Sequence, residues 1–259
     1  MNAIKASLKK VIPDSILALW WWHLERRLKN ELSRSANAKD TFTRIYDDEH
    51  WGRSGQHGDN YYSGSGSHSR EIVDSYVSAV NGFLSSLDKK LDAVDLGCGD
   101  FAVGSQIRPF CNKYVAADVV EGLINRNKER HANDSVEFCV LDITKDDLPN
   151  GDVVFLRQVL QHLSNSDIEK VVAKLSAKYR FLILTEHLPF SNKFEPNLDK
   201  ARGPDIRLYI RGKQSGVVLT APPFNLVVKR TRVLCEVLDN FMGRKGILKS
   251  YITTSLYEL

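Results

Sequence analysis

The run Asp95-Leu96-Gly97-Cys98-Gly99-Asp100-Phe101 constrains this chain more than any other, because it follows a short apolar segment, 91–94, and places two glycines where a strand must bend into a helix. Such a bend needs backbone freedom and lets main-chain N–H groups lie close to a ligand. Two further apolar runs close on acids, Asp118 and Asp142. From Lys90 onward strand-like and helix-like patterns alternate, which predicts a parallel sheet covered on both faces. Strands are expected over 91–96, 113–118, 136–141, 152–156 and 181–185, with helices over 69–87, 103–110, 120–131, 167–179 and around Arg207. Two β-rich runs, 226–237 and 246–257, read as a closing antiparallel pair. The expected fold is α/β, a doubly wound seven-stranded and mostly parallel sheet with an N-terminal helical and cap extension.

Length and charge set the outer bounds. The 259 residues are 42% hydrophobic and 26% charged, enough to bury a sizeable core, and the net charge of +4 is too mild and too dispersed to argue for nucleic acid. Cys98, Cys111, Cys139 and Cys235 are widely spaced, with no C-x-x-C pair, and read as reduced core residues. This suggests a cytoplasmic location.

Three units are expected: 1–34, a cap over 35–68, and a main domain over 69–259. Residues 13–32 carry apolar side chains at helical spacing, the triplet Trp20-Trp21-Trp22 and flanking basic residues. They are read either as an amphipathic helix on an anionic membrane surface, making the location peripheral, or as a helix packed on the main domain or on a second subunit. The stretch 35–69 is rich in Ser, Gly and Asp, yet interleaves Phe42, Ile45, Tyr46, Trp51, Tyr61 and Tyr62. Large apolar groups need burial, so an ordered lid over a ligand is expected.

The spacing Gly97-x-Gly99-x-x-Ala102 also satisfies a dinucleotide fingerprint. Asp95, two residues before the first glycine, argues against a pyrophosphate and for a cationic ligand end, as in S-adenosylmethionine. Gly97, Cys98 and Gly99 then line the donor; Asp118, with Val119, accepts from the ribose hydroxyls; Asp142 accepts from the adenine amino group, with Ile143 against the ring. Each aspartate alone is equally readable as a turn cap. No cluster of carboxylates is placed for magnesium, so no metal is required.

Phe42-x-x-Ile45-Tyr46, Trp51-Gly52, Ser63-Gly64-Ser65-Gly66-Ser67, the glycine run, Arg157-Gln158-Val159-Leu160-Gln161-His162-Leu163 and Pro222-Pro223-Phe224-Asn225-Leu226 carry a resemblance. The chain resembles class I S-adenosylmethionine-dependent methyltransferases, more narrowly a bacterial branch associated with surface-glycan and glycoside biosynthesis, over nearly everything after residue 40. The resemblance implies a Rossmann-like methyltransferase fold, S-adenosylmethionine as donor, S-adenosylhomocysteine as product, and donor contacts from Trp51, Ser65, Gly66, Ser67 and Gln158. Gln158 stands where that branch often has an acid, and the arm 200–216 departs from its pattern.

Methyl transfer to a hydroxyl needs a group to take its proton. His162, after the fourth strand at the ligand-binding edge, is the first candidate base, and His187, at the end of the fifth, is a second candidate base or a sugar contact, with a structural histidine as the alternative for each. Arg157, Arg207 and Tyr62 are candidate substrate contacts, the arginines for a phosphate or an acidic glycan. Three function classes stay open: an O-methyltransferase acting on a glycan, lipid-linked or nucleotide-linked sugar; a small-molecule O- or N-methyltransferase; and a non-catalytic S-adenosylmethionine-binding partner subunit.

Overall fold

A computed structural model describes residues 37–53, 61–243 and 246–259; side chains of 240–248 are outside the description. The unit 1–34 and the tryptophan segment 13–32 lie outside the described residues. The chain enters through α1 (Ala38–Asp47), capped by Asn37, whose side chain accepts the Asp40 N–H. After the lid comes α2 (Arg70–Ser85), which turns Ile72, Val73, Tyr76, Val80, Phe83 and Leu84 inward at helical spacing. The alternating part follows as β1 (Ala93–Leu96), α3 (Gly104–Ile107), β2 (Tyr114–Asp118), α4 (Glu121–Arg130), β3 (Glu137–Val140), β4 (Val153–Arg157), α5 (Asn165–Leu175) and β5 (Phe181–Pro189). A two-stranded ribbon, β6 (Tyr209–Ile210) with β7 (Lys213–Gln214), precedes the hairpin β8 (Arg230–Gly243) and β9 (Gly246–Glu258).

The main sheet has the order β3-β2-β1-β4-β5-β9-β8, with β1 to β5 parallel, β9 antiparallel to β5 and β8 antiparallel to β9. The centre is buried on both faces, as the unbroken burial of β1 and β4 interiors requires. One face packs Val94, Leu96, Val154, Leu156, Leu182 and Leu184 against α5; the other packs Ala93, Ala116, Val153, Phe155, Phe181 and Ile183 against α2. The seven-stranded, mostly parallel sheet agrees with expectation, and its five parallel strands fall where they were expected. The helix expected over 103–110 breaks after Ile107 into a 3₁₀ turn, Arg108–Phe110, where Pro109 removes a donor. No helix forms around Arg207; that stretch is irregular and leads into β6, held by main-chain bonds such as Ser215 N–H to Leu208 O at 3.1 Å. Both β5 and β8 run further than expected, by several residues past the parallel strands' tips. Among the described residues no helix is long and apolar enough to cross a membrane.

Candidate active site

At the C-terminal edge of the parallel strands lies a cavity of about 1220 Å³. Ligand pockets for one small molecule span roughly 300–1,000 Å³, so this one has room for a donor and an acceptor together. Its floor on one side is the tips of β1, β2 and β3; on the other it is the tips of β4 and β5 with the arm 200–212; the lid closes it above.

On the first side the chain leaves β1 through Gly97 and Gly99, at φ 79° and 55°, conformations that favour glycine. A Cβ on Gly97 would sit 2.5 Å from Val159 Cγ2, and one on Gly99 would sit 2.5 Å from Ser63 Oγ. The glycines are therefore demanded by close packing against the next strand's loop and the lid. Asp118, buried at the tip of β2, accepts the Gly99 N–H at 3.2 Å with Oδ2 and the Val120 N–H at 3.1 Å with Oδ1. Burial pushes its pKa up, against the main-chain N–H bonds that favour the anion. Asp142 takes the turn-cap role, accepting the Thr144 N–H at 3.0 Å and hydroxyl at 2.6 Å, while lining the cavity beside Leu141 and Ile143. Val119 and Cys98 line it too.

Asp95 is buried, and burial pushes its pKa up to about 7, against the Tyr114 hydroxyl, which donates to Oδ2 at 3.1 Å, and the charge of Arg157. A buried carboxylate facing a cavity in this state favours a cationic ligand, since a positive charge there supplies what burial has removed. The fit to S-adenosylmethionine rests on this charge match and on the carboxylates at the tips of β1, β2 and after β3. Residues that would hold it are Asp95, Asp118, Asp142 and Ile143, with the Gly97–Gly99 backbone.

The lid is built into the site. Ser63 binds Asp100 in both directions, Tyr46 Oη lies 3.1 Å from Ser63 Oγ, and His68 Nε2 lies 2.6 Å from Asp100 Oδ2. Burial works to raise the Asp100 pKa, but the His68 bond and charge, with the N–H groups of Ala102 and Ser63, hold it below the usual carboxylate range. Ser65, Gly66 and Ser67 form a 3₁₀ turn along the cavity, and a Cβ on Gly66 would meet Gln158 Oε1 at 2.2 Å. Trp51 packs edge-on to Tyr46 at 5.1 Å and lies 5.2 Å from the His162 ring.

Of the three expected substrate contacts, Arg207 and Tyr62 lie outside the cavity lining and Arg157 is part of it. Arg207 is buried and donates to Asn165 Oδ1 at 2.7 Å, to Leu198 O at 2.6 Å and to Leu163 O, so its guanidinium is spent on tying the arm to the start of α5. Tyr62 stacks on His68 at 4.5 Å and is outside the cavity wall. Arg157 lines the cavity but donates to Gly66 O at 2.5 Å and to Ser67 Oγ at 3.2 Å, and lies over the Tyr76 ring at 5.0 Å. It fastens the lid and offsets the charge of Asp95.

Both histidines line the cavity and are buried. His162 closes the 3₁₀ turn Leu160–His162; burial, with the nearby Lys200 charge, pushes its pKa down to about 3. His187, near the end of β5, has Gln161 Oε1 at 2.9 Å from Nδ1 and Asp239 Oδ2 at 3.3 Å from Nε2. Glu186 faces the other way, accepting the Leu160 N–H at 2.9 Å and the Gln161 N–H at 3.1 Å; burial pushes its pKa up to about 8. Asp100, Gln161, Glu186 and Asp239 were not among the expected site residues. Asp100 and Gln161 stand inside the recognisable runs, whereas Asp239 reaches the site only through the sheet's pairing. Among the described residues no group of three or more His, Cys, Asp or Glu side chains is arranged to hold a metal ion.

Comparison with known proteins agrees with this geometry. Residues 93–180 match the family model described as a methyltransferase domain. The N-terminal domain of EvdMO1, solved in the presence of S-adenosylhomocysteine and D-fucose, superimposes with a TM-score of 0.51 at 16% identity, over 86% of this chain and 97% of that one. Magnesium protoporphyrin IX methyltransferase (ChlM) from Synechocystis PCC 6803, solved with bound S-adenosylmethionine, gives 0.50 at 13% identity, over 87% and 99%. Both likenesses show the fold. No curated protein matches the chain. The matched domain, 93–180, makes this a methyltransferase, and the sheet and the carboxylates at its edge fit S-adenosylmethionine as the methyl donor. S-adenosylmethionine is the donor that the matched methyltransferase domain and the carboxylate-lined edge fit.

Proposed function

We propose that the enzyme O-methylates a hydroxyl of a sugar carried by a glycan, a lipid or a nucleotide, with His187 as the general base. The observation that carries this reading is the acceptor side of the cavity, where Gln158, Gln161, His187, Asp239 and Lys200 bring amide, imidazole and charged groups to one wall. Such a wall offers a polyhydroxylated ligand both donors and acceptors. When bound, the cofactor supplies an electrophilic methyl group. The protein's part is to place the hydroxyl oxygen in line with that group, exclude water and take the proton. Lid closure through Asp100 and Arg157 does the excluding; the His187 ring takes the proton.

His162, buried beneath Trp51, supports the wall and the turn that carries Gln161. Among the described residues the two arginines that line the cavity are held by protein groups, Arg157 by the lid and Arg202 by Asp167, to which it donates at 2.8–3.1 Å. This favours a neutral reacting sugar ring, with Lys200 as the cavity's cation on the acceptor side. Phe42, Trp51, Leu208 and Ile210, which also line the cavity, favour a second reading, an aromatic small molecule as acceptor. That the cavity extends past the donor side argues against a partner subunit without catalysis.

Offering radiolabelled S-adenosylmethionine to separated pools of sugar nucleotides, lipid-linked sugars, polysaccharide and aromatic metabolites tests the proposal. Label in a carbohydrate pool, at a base-stable ether, is expected. Label confined to the aromatic pool overturns it.

A further inference from the structure

The overhanging end of β5 and the edge strand β8 meet at the cavity. Thr185 is the last β5 residue paired with β4, so residues 186–189 project past the parallel sheet and pair only with β9. His187 pairs with Ile252 of β9, and Ile252 with Val237 of β8. Strand alternation puts Asp239, two residues beyond Val237, on the same face as His187. That is how a residue from the far edge comes within 3.3 Å of Nε2.

On the ring's other side, Gln161 Oε1 lies 2.9 Å from Nδ1 and also accepts the His187 main-chain N–H at 3.3 Å. An N–H that can only donate faces this atom, so it is the amide's oxygen, and Nδ1 carries hydrogen. Gln158 Nε2, 3.4 Å from the same Nδ1, is the longer contact. Gln161 itself is buried and its turn is fastened to β5 through the Glu186 carboxylate.

We propose that Gln161 and Asp239 are positioning residues that make Nε2 of His187 the proton acceptor: Gln161 keeps hydrogen on Nδ1, and Asp239 accepts the Nε2–H bond formed in the reaction. This deepens the assignment of His187 as base and rests on it. The neutral ring satisfies one of the two facing oxygens; the imidazolium satisfies both. The arrangement thus complements the charge present after proton transfer, which is where stabilisation accelerates a reaction. The hydroxyl O–H bond breaks as Nε2–H forms, and O–CH₃ forms as S–CH₃ breaks with its electron pair left on sulfur. The sulfonium's positive charge is matched at the end by the imidazolium beside Asp239.

Two-bond ¹H–¹⁵N correlation NMR on the full-length chain with labelled histidine and saturating S-adenosylhomocysteine tests this, His187 being assigned by the loss of its signals in His187→Gln. With the ring neutral, the Nδ1–H tautomer is expected in the unaltered protein, and conversion to the Nε2–H tautomer in Gln161→Leu. With the ring protonated, the Nε2–H proton is expected to exchange slowly with water and to exchange at least tenfold faster in Asp239→Ala. An Nε2–H tautomer in the unaltered protein, an unchanged tautomer in Gln161→Leu, or unchanged exchange in Asp239→Ala overturns the proposal. Where Gln161→Leu does not fold, the tautomer of the unaltered protein decides. None of these readings uses an acceptor, so they stand whether or not the sugar reading fails.

Discussion

Ser63 and Asp100 bind each other twice: the Ser63 N–H donates to Asp100 Oδ2 at 3.1 Å, and the Asp100 N–H donates to Ser63 Oγ at 2.8 Å. The first residue belongs to the lid and the second to the glycine turn after β1. With His68 on the same carboxylate, lid and turn become one hydrogen-bonded unit. Closure over the donor is thus written into the loop that receives it.

Replacing Asp100 by Ala removes the acceptor for His68, Ser63 and Ala102. Bonds to a charged group are worth roughly 1.5–3 kcal/mol, so affinity for S-adenosylhomocysteine is expected to fall tenfold or more. Calorimetric titration measures this. The Asp100 carboxyl is held below its ordinary range, so its stabilising effect is present above the unfolded value of about 4 and is lost as pH falls through the folded value. Closure of the unaltered lid is therefore expected to be independent of Asp100 ionisation across neutral pH.

Asp95 gives the opposite sign. Its pKa is raised to about 7, so the folded chain holds a proton that the unfolded chain releases near pH 4, and stability from this group falls as pH rises between those values. Glu186, raised to about 8, acts in the same direction up to that pH. A cation bound beside Asp95 favours its ionised form. Binding of S-adenosylmethionine is therefore expected to strengthen from pH 6 to 8 and to release a proton, detected by calorimetry in buffers of different ionisation enthalpy. Asp95→Asn should abolish the proton release.

Gly97→Ala places a Cβ 2.5 Å from Val159 Cγ2 at a φ of 79°. Left-handed backbone costs an L residue about 1–2 kcal/mol, and the clash adds to it. A lowered Tm is expected. Gly97→Ala with Val159→Ala should recover the part due to the clash and leave the part due to φ, as thermal unfolding of the single and double variants will read.

His187→Ala is expected to lower kcat by roughly 10²–10⁴ with cofactor affinity unchanged, the usual contribution of a general base. His162→Ala instead removes a buried ring beneath Trp51. Its main expected effect is lower stability, by about 2–4 kcal/mol in the range of large-to-small core changes, read by denaturant unfolding.

The sheet was legible because buried parallel strands need continuous apolar runs, and the runs ending at Leu96, Asp118 and Arg157 could be read directly from their composition. The donor edge was legible for the same reason: its carboxylates follow strand ends in sequence order. The arm was not. Arg207 looks like any surface arginine in sequence, and only the folded chain shows its guanidinium capping main-chain oxygens of 163 and 198. The Asp239–His187 contact spans 52 residues and depends on the register of two intervening pairings. Pairing register across a hairpin leaves no local code in either partner. The lid lies between: its large aromatics pointed to packing, and Tyr46 is buried with Phe42, Trp51, Tyr61 and Tyr62 half-buried, but its fastening to Asp100 and Arg157 is a tertiary fact.

The central claim is that carboxylates at successive strand tips hold S-adenosylmethionine, with Asp118 at the second. Calorimetric titration of the unaltered chain and of Asp118→Ala with S-adenosylmethionine tests it most directly. One molecule bound per chain, and an affinity lowered tenfold or more in the variant through loss of about 1–3 kcal/mol, is the expected result. Equal affinity in both proteins, or no binding by the unaltered chain, contradicts it.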